Sequence, residues 1–234
     1  MSRKDRPKRS DKEVEIKLRV PDRAALLRRL ARLKAKLDLP RMHEMNVLYD
    51  TPDGALARRG QLLRVRAESS APRGARGAGR AGKPRLVAAP WNILLTYKGR
   101  VEDASRGASG AREGRLYKVR HEREVRVMDQ DGIASILTAM GLFPWFRYEK
   151  YRSTYRLPGL GSLKVELDET PVGDFLELEG DRRAIDRSAK LLGYGAADYI
   201  TQSYGSLWRE HRGHGPGEPS PGSDLEDMLF SKAK

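Results

Sequence analysis

The chain has 234 residues, 38% hydrophobic and 7% aromatic, with 46 Lys and Arg against 32 Asp and Glu, a formal net charge of +14. This hydrophobic content supports a packed core and excludes global disorder, and no apolar run approaches the roughly 18 residues a membrane helix needs. There is no cysteine, which excludes disulfides, thiolate zinc sites and a cysteine nucleophile.

The chain opens on a basic head, residues 1–11, read as disordered. It lacks an apolar segment and so is no secretory signal. A strand follows at 12–20, KEVEIKLRV, with Glu13, Glu15 and Lys17 on one face and Val14, Ile16 and Leu18 on the other. Residues 22–37 place Leu26, Leu30, Leu33 and Leu37 on one helical face, with Pro21 and Asp22 suited to its start. Strands are predicted at 44–50 and 62–67, the second setting Arg64 and Arg66 opposite Leu63 and Val65. Residues 68–90 are rich in Gly, Ala, Arg and Pro and read as a flexible insertion, as do 99–114. Between them 92–98 alternates, with Lys98 in phase with Thr96.

The strand 116–127 carries an unbroken charged row of Lys118, Arg120, Glu122 and Glu124. Residues 131–141 form a helix that groups Ile133, Ile136, Leu137 and Met140 and ends at Gly141. Strands at 147–157, 162–168 and 174–179 add Lys150 and Arg152, then Lys164, Glu166 and Asp168, then Glu177 and Glu179. Phe175 is in phase with Glu177, which requires either a bulge or a position at the rim. Helices are predicted at 181–193 and 198–210. The tail, 213–234, reads as disordered, with Leu225, Met228, Leu229 and Phe230 able to form a short helix.

Eight strands predict a mainly β (α+β) fold, a closed or nearly closed antiparallel eight-stranded barrel with flanking helices. One domain spans 12–212. The apolar rows face outward against the helices and the charged rows line the inside. Buried charges must be paired or hydrogen-bonded. A polyanion complexed with a divalent cation satisfies both signs at once. Lys17, Arg64, Arg66, Lys98, Arg120, Lys150 and Arg152 are the candidate phosphate clamp. Glu13, Glu15, Glu177 and Glu179 are the candidate metal ligands, an oxygen set suited to Mg²⁺ or Mn²⁺. Of the net charge, +4 lies in residues 1–12 and +4 in 68–90. Those segments are read as solvated, with weak nucleic-acid contact as the alternative.

The motifs E13-V-E15-I-K17, N46-V-L-Y49-D50-T51-P52, L63-R64-V65-R66, T96-Y97-K98-G99, R120-H-E122-R-E124, K150-Y-R152 and the segment from Leu167 to Glu179, in that order, resemble the CYTH superfamily of triphosphate tunnel metalloenzymes. The resemblance spans about residues 12–208. That group includes class IV adenylate cyclases, thiamine triphosphatases, inorganic tripolyphosphatases and RNA triphosphatases. It implies a Mg²⁺- or Mn²⁺-dependent enzyme. Glu13, Glu15 and a carboxylate of the 177/179 pair would hold the metal, and the basic residues above would clamp a triphosphate. It assigns Lys17, Glu122 and Glu124 to the catalytic set, the two glutamates holding a second metal or orienting a water. The expected substrate is tripolyphosphate or a nucleoside or thiamine triphosphate, and the expected product comes from hydrolysis of the terminal phosphate. Conversion of ATP to cyclic AMP and pyrophosphate is the alternative, and a non-catalytic polyanion-binding module the next. A cytoplasmic monomer or homodimer, with no membrane contact, is expected.

Overall fold

The computed structural model describes residues 12–69, 92–102, 116–214 and 225–230. The head, most of both Gly- and Arg-containing insertions and most of the tail lie outside the described residues. So does the nucleic-acid contact expected of the basic segments.

Eight strands form the wall: β1 (Lys12–Val20), β2 (Lys36–Asp50), β3 (Leu62–Ser69), β4 (Asn92–Lys98), β5 (Lys118–Val127), β6 (Phe143–Arg156), β7 (Lys164–Thr170) and β8 (Gly173–Glu179). Their order is β2-β3-β4-β5-β1-β8-β7-β6, and β6 pairs back to β2. Every neighbour in this ring is antiparallel. The barrel is closed, which removes free sheet edges.

Alternation sorts the side chains as the sequence predicts. The outward faces of β1, β5, β7 and β8 bury Ile16, Leu18, Val119, Val165, Leu167, Leu176 and Leu178. They do so against α1 (Arg23–Arg32), through Leu26 and Leu30, and α4 (Arg182–Leu191), through Ile185 and Ala189. Each such leucine contributes about 1.5–3 kcal/mol of burial. On the other side Tyr49, Val65 and Ile93 pack on Leu137 of α3 (Gln130–Ala139). Asp22, Asp129 and Asp181 cap α1, α3 and α4 by accepting backbone N–H bonds. The short α2 (Ala55–Arg58) is held by Asp50, whose carboxylate accepts from the N–H groups of Thr51, Leu56 and Ala57 at 2.7–2.8 Å. Gly54, at φ 71°, makes the turn that leads into it.

The remaining helix, α5 (Tyr204–His211), sends Tyr204 into one end of the barrel. There it meets Leu48, Trp145, Phe146, Tyr148 and Phe175, an apolar plug. This placement accounts for Phe175. The pairing of β8 with β1 and β7 is unbroken, so no bulge intervenes. Phe175 faces inward and is fully buried in the plug.

Four expectations are corrected. The first helix stops at Arg32, not Leu37. Lys34 adopts φ 55°, and Leu37 pairs with Tyr155 on β6 while 56% exposed. Strand pairing overrides the helical spacing there. On α3 only Leu137 of the four grouped residues is buried, while Ile136 and Met140 are 56% and 69% exposed. Glu68 and Ser69, placed in the insertion, continue β3 and pair with Glu44 and His43 of β2. The tail segment read as a short helix is a strand, β9 (Glu226–Met228), parallel to Phe146–Tyr148. That stretch of β6 has no β7 partner, and Met228 is fully buried in the plug. Among the described residues no helix is long and apolar enough to cross a membrane.

Candidate active site

The charged rows surround one cavity of about 870 Å³. Its lining includes every residue proposed from the sequence: Glu13, Glu15, Lys17, Arg64, Arg66, Lys98, Arg120, Glu122, Glu124, Lys150, Arg152, Glu177 and Glu179. Lys118, Lys164 and Glu166 join them. Register brings them together: Glu13 lies opposite Arg120, Glu15 between Lys118 and Glu179, and Lys17 opposite Glu177.

One network lies towards the plug. Lys17 Nζ is 3.0 Å from Glu177 and 3.4 Å from Glu15. Arg152 donates to both oxygens of Asp168, with Nε–Oδ1 at 2.6 Å, and contacts Glu166 and Glu177. Lys150 donates to Asp168 at 2.8 Å, and the Tyr204 hydroxyl donates to the same oxygen at 2.6 Å. The ammonium groups of Lys17 and Lys150 stand 5.3 and 5.2 Å from the centre of the Tyr204 ring.

A second network involves the other strands. Lys98 donates to both oxygens of Glu13, at 2.9 and 2.7 Å, and lies 3.1 Å from Glu122. Burial pushes the Glu13 carboxyl up, with help from Glu15 and Glu122, against the pull of Lys98. Glu15 is the opposite case. Burial works against its ionisation, but Lys17, Lys118 and Lys98 hold it well below the usual range. Lys118 is driven down to about 8 by burial, although Glu15 supports its charge, at 3.3 Å. Glu124 braces the arginines, accepting from Thr96 at 2.8 Å and from Arg66 at 3.0 Å.

Some donors are left over. The Nε groups of Arg64 and Arg120 are buried and make no hydrogen bond among the described residues. A buried unpaired donor costs about 1–3 kcal/mol. Both can donate to an anionic acceptor.

A metal would find only oxygen donors here. Glu13 and Glu15 are two residues apart on β1, and Glu179 is the register partner of Glu15. The lone imidazoles are elsewhere; His43, for example, binds Glu149 at 2.8 Å. The donor chemistry fits a hard divalent ion, and a cation would favour the ionised form of Glu13, which burial opposes. As the side chains stand, each carboxylate turns to a base: Glu13 to Lys98, Glu179 to Lys164 at 2.7 Å, Glu177 to Lys17 and Arg152. No metal-holding group of three is formed among the described residues.

Comparison with known proteins adds one decisive observation. A family model of the CYTH domain matches residues 11–204. The chain belongs to the CYTH family. Its barrel is similar to that of a candidate adenylate cyclase from Vibrio parahaemolyticus, at 21% identity and a TM-score of 0.59, over 84% of this chain and 97% of the other. It is also similar to PH1819 of Pyrococcus horikoshii, at 20% identity and TM-score 0.58, over 86% and 99% of the two chains. A candidate adenylyl cyclase from Hippeastrum, described as having a dominant triphosphatase activity, matches at 20% identity and TM-score 0.53, over 86% and 96%. At these identities the likeness is one of fold. No curated protein sequence matches the chain.

Three CYTH-barrel residues escaped the sequence reading. Glu44 is almost fully buried beside Lys150 at 3.5 Å and Arg66 and Arg152 at 3.9 Å. Burial opposes its charge, but Lys150, Arg66 and Arg152 hold its carboxyl at about 2. Its phase with Asn46 and Leu48 was the available signal. Tyr148 shares the inner phase of Lys150 and lines the cavity. Tyr204 comes from a helix, where strand alternation carries no information.

Glu166 gives a pH prediction. Burial pushes it up to about 7 against the pull of Arg152, with Glu177, Glu179 and Asp168 adding to the rise. Its folded value lies above the unfolded one, so its contribution to stability is complete below about 4.5 and is lost as pH rises through about 7. Glu166→Gln is therefore expected to melt with the wild type near pH 5 and above it near pH 8. Thermal melts at both values decide this. A variant melting lower near pH 8 would show that ionised Glu166 is a net stabilising partner of Arg152.

Proposed function

We propose that the protein is a divalent-metal-dependent triphosphatase that hydrolyses the terminal phosphate of a triphosphate held inside the barrel. The observation that carries this reading is the ring of ammonium and guanidinium groups from β1, β3, β4, β5 and β6 around one cavity, with Arg64 and Arg120 still holding unpaired buried donors. Arg64, Arg66, Arg120 and Arg152 bind phosphate oxygens in forked geometry, and Lys17, Lys98 and Lys150 add point charges. Glu13, Glu15 and Glu179 hold Mg²⁺ or Mn²⁺, with Glu177 placed against Lys17 and Arg152 instead. When bound, that ion neutralises charge on the transferred phosphoryl group.

The basic side chains orient the triphosphate and stabilise charge as the bond to the leaving phosphate breaks, so most of the catalysis is electrostatic and positional. Glu122 is held ionised, since Lys98 and Arg64 outweigh its burial. It is the carboxylate that orients the attacking water. Glu124, occupied by Thr96 and Arg66, keeps the arginines in place.

The test is incubation with ATP or tripolyphosphate in Mg²⁺ or Mn²⁺, with the products identified. Orthophosphate without cyclic AMP is expected. Cyclic AMP and pyrophosphate would replace this reading with a cyclase. Binding without turnover would replace it with a polyanion-binding module.

A further inference from the structure

The tail strand β9 lies beyond residues 11–204, the span that the CYTH model matches. It is an addition to the barrel. From Phe143 to Lys150, β6 has no β7 partner. An open edge of this kind leaves backbone groups unpaired. β9 fills it, pairing Glu226, Asp227 and Met228 in parallel with Phe146, Arg147 and Tyr148. On the outer side Arg147 grips Asp227 through a fork, Nε–Oδ1 at 2.9 Å and Nη2–Oδ2 at 2.6 Å. The Phe230 N–H donates to Oε1 of Glu149 at 2.7 Å, and Oε2 of the same carboxylate lies 2.8 Å from Nε2 of His43 on β2. Glu149 has the outward parity of Arg147, yet it is 1% exposed. The Phe230 ring stands 5.5 Å from that of Tyr151. The tail is thus tied to both strands of the seam that closes the barrel, β6 directly and β2 through Glu149.

On the inner side Met228 is fully buried in the cluster that holds Phe146, Tyr148 and Tyr204. Met228 is not part of the cavity lining, whereas Tyr148 and Tyr204 are. Their rings are 6.1 Å apart. The Tyr204 hydroxyl shares Oδ2 of Asp168 with Lys150, and Asp168 also takes the fork of Arg152. A path of packed rings and hydrogen bonds therefore runs from the tail to two cations of the clamp. Turnover depends on placement, and an error of about 1 Å can cost about 10²-fold. Attraction of a polyanion depends on charge, which the lining keeps whether or not the tail is docked. Resting on the triphosphatase reading, we propose that residues 226–230 are a positioning strap: docked on β6, they hold Tyr148 and Tyr204 from behind, and with them Lys150, Arg152 and Asp168, in the arrangement that turns over a triphosphate. Asp227 and Met228 are positioning residues that act through β6 and the two tyrosines.

The full-length protein is compared with Met228→Asp, Met228→Leu, Asp227→Arg and the reversed pair, Arg147→Asp with Asp227→Arg. Amide exchange over 225–230, read by mass spectrometry, reports docking. Calorimetry with tripolyphosphate in the absence of metal reports affinity, and its stoichiometry reports the folded fraction. Mg²⁺-dependent phosphate release from tripolyphosphate or ATP reports turnover. Met228→Asp is expected to lose protection of the tail and about ten- to a hundredfold in kcat, with affinity changed less than about threefold and stoichiometry unchanged. Asp227→Arg is expected to lose about three- to tenfold, and the reversed pair and Met228→Leu to return within about twofold of wild type. An unprotected tail in wild type, or variants that lose protection and keep kcat within about twofold, would overturn the strap and leave the triphosphatase reading standing. So would a parallel fall of kcat and affinity, or a reversed pair that restores protection without turnover. A wild type that turns over no triphosphate takes both down. Should Met228→Asp fail to fold, Asp227→Arg and the reversed pair decide alone, since both side chains are 38% exposed on the outer surface.

Discussion

Glu15→Gln is expected to lower metal-dependent triphosphate turnover by about 10²- to 10³-fold, the usual weight of one well-placed electrostatic group. The side chain is 10% exposed and lies between Lys17 and Lys118, with Glu179 opposite on β8. Glutamine keeps the shape and removes the charge. Two effects then move in opposite directions. The metal site loses an ionised ligand, while the clamp loses a competing anion. Tripolyphosphate binding measured without metal should hold or tighten as Mg²⁺-dependent turnover collapses. Calorimetry in chelator beside a phosphate-release assay separates the two, with circular dichroism to show an intact barrel. A parallel weakening of metal-free binding would instead make Glu15 part of the clamp's scaffold.

Arg152→Met is expected to give the largest loss of stability in the molecule. One guanidinium serves Asp168, Glu166 and Glu177, with Glu44 at 3.9 Å. Its removal strands inward-facing carboxylates that water reaches poorly. Breaking a buried pair costs about 3–5 kcal/mol, or about 10 °C in melting temperature for a chain of this size. Arg152→Lys should recover only part, because an ammonium cannot make the forked contact. The pH dependence has a definite sign. Arg152 lowers the pKa values of Glu44, Glu166 and Glu177, so without it these rise and the stability forfeited grows as pH rises through them. The deficit should be large near pH 8 and shrink near pH 5. A deficit independent of pH would mean lost packing, not stranded charge.

The inner rows of the barrel were legible in the sequence because strand alternation has a period of two and the charges recur in phase on strand after strand. Glu13, Arg64, Lys98 and Arg120 could all be placed on one side before any strand was paired. The misses share a cause. Leu37 has helical spacing from Leu33, yet it pairs with Tyr155. Tyr204 lies on a helix that only the assembled barrel receives.

Alternation is a local property, so the order of residues was enough to specify a charged lining with an apolar exterior, and with it the chemistry of a polyanion site. Partnership is not local. Whether Glu177 faces a metal or Lys17 and Arg152, and whether Arg120 finds an acceptor, depends on which strands become neighbours when β6 closes onto β2. Charges separated by many residues along the chain interact only over a few ångströms. The pairing of acids with bases and the plug around Tyr204 and Phe175 therefore came from the closed barrel alone.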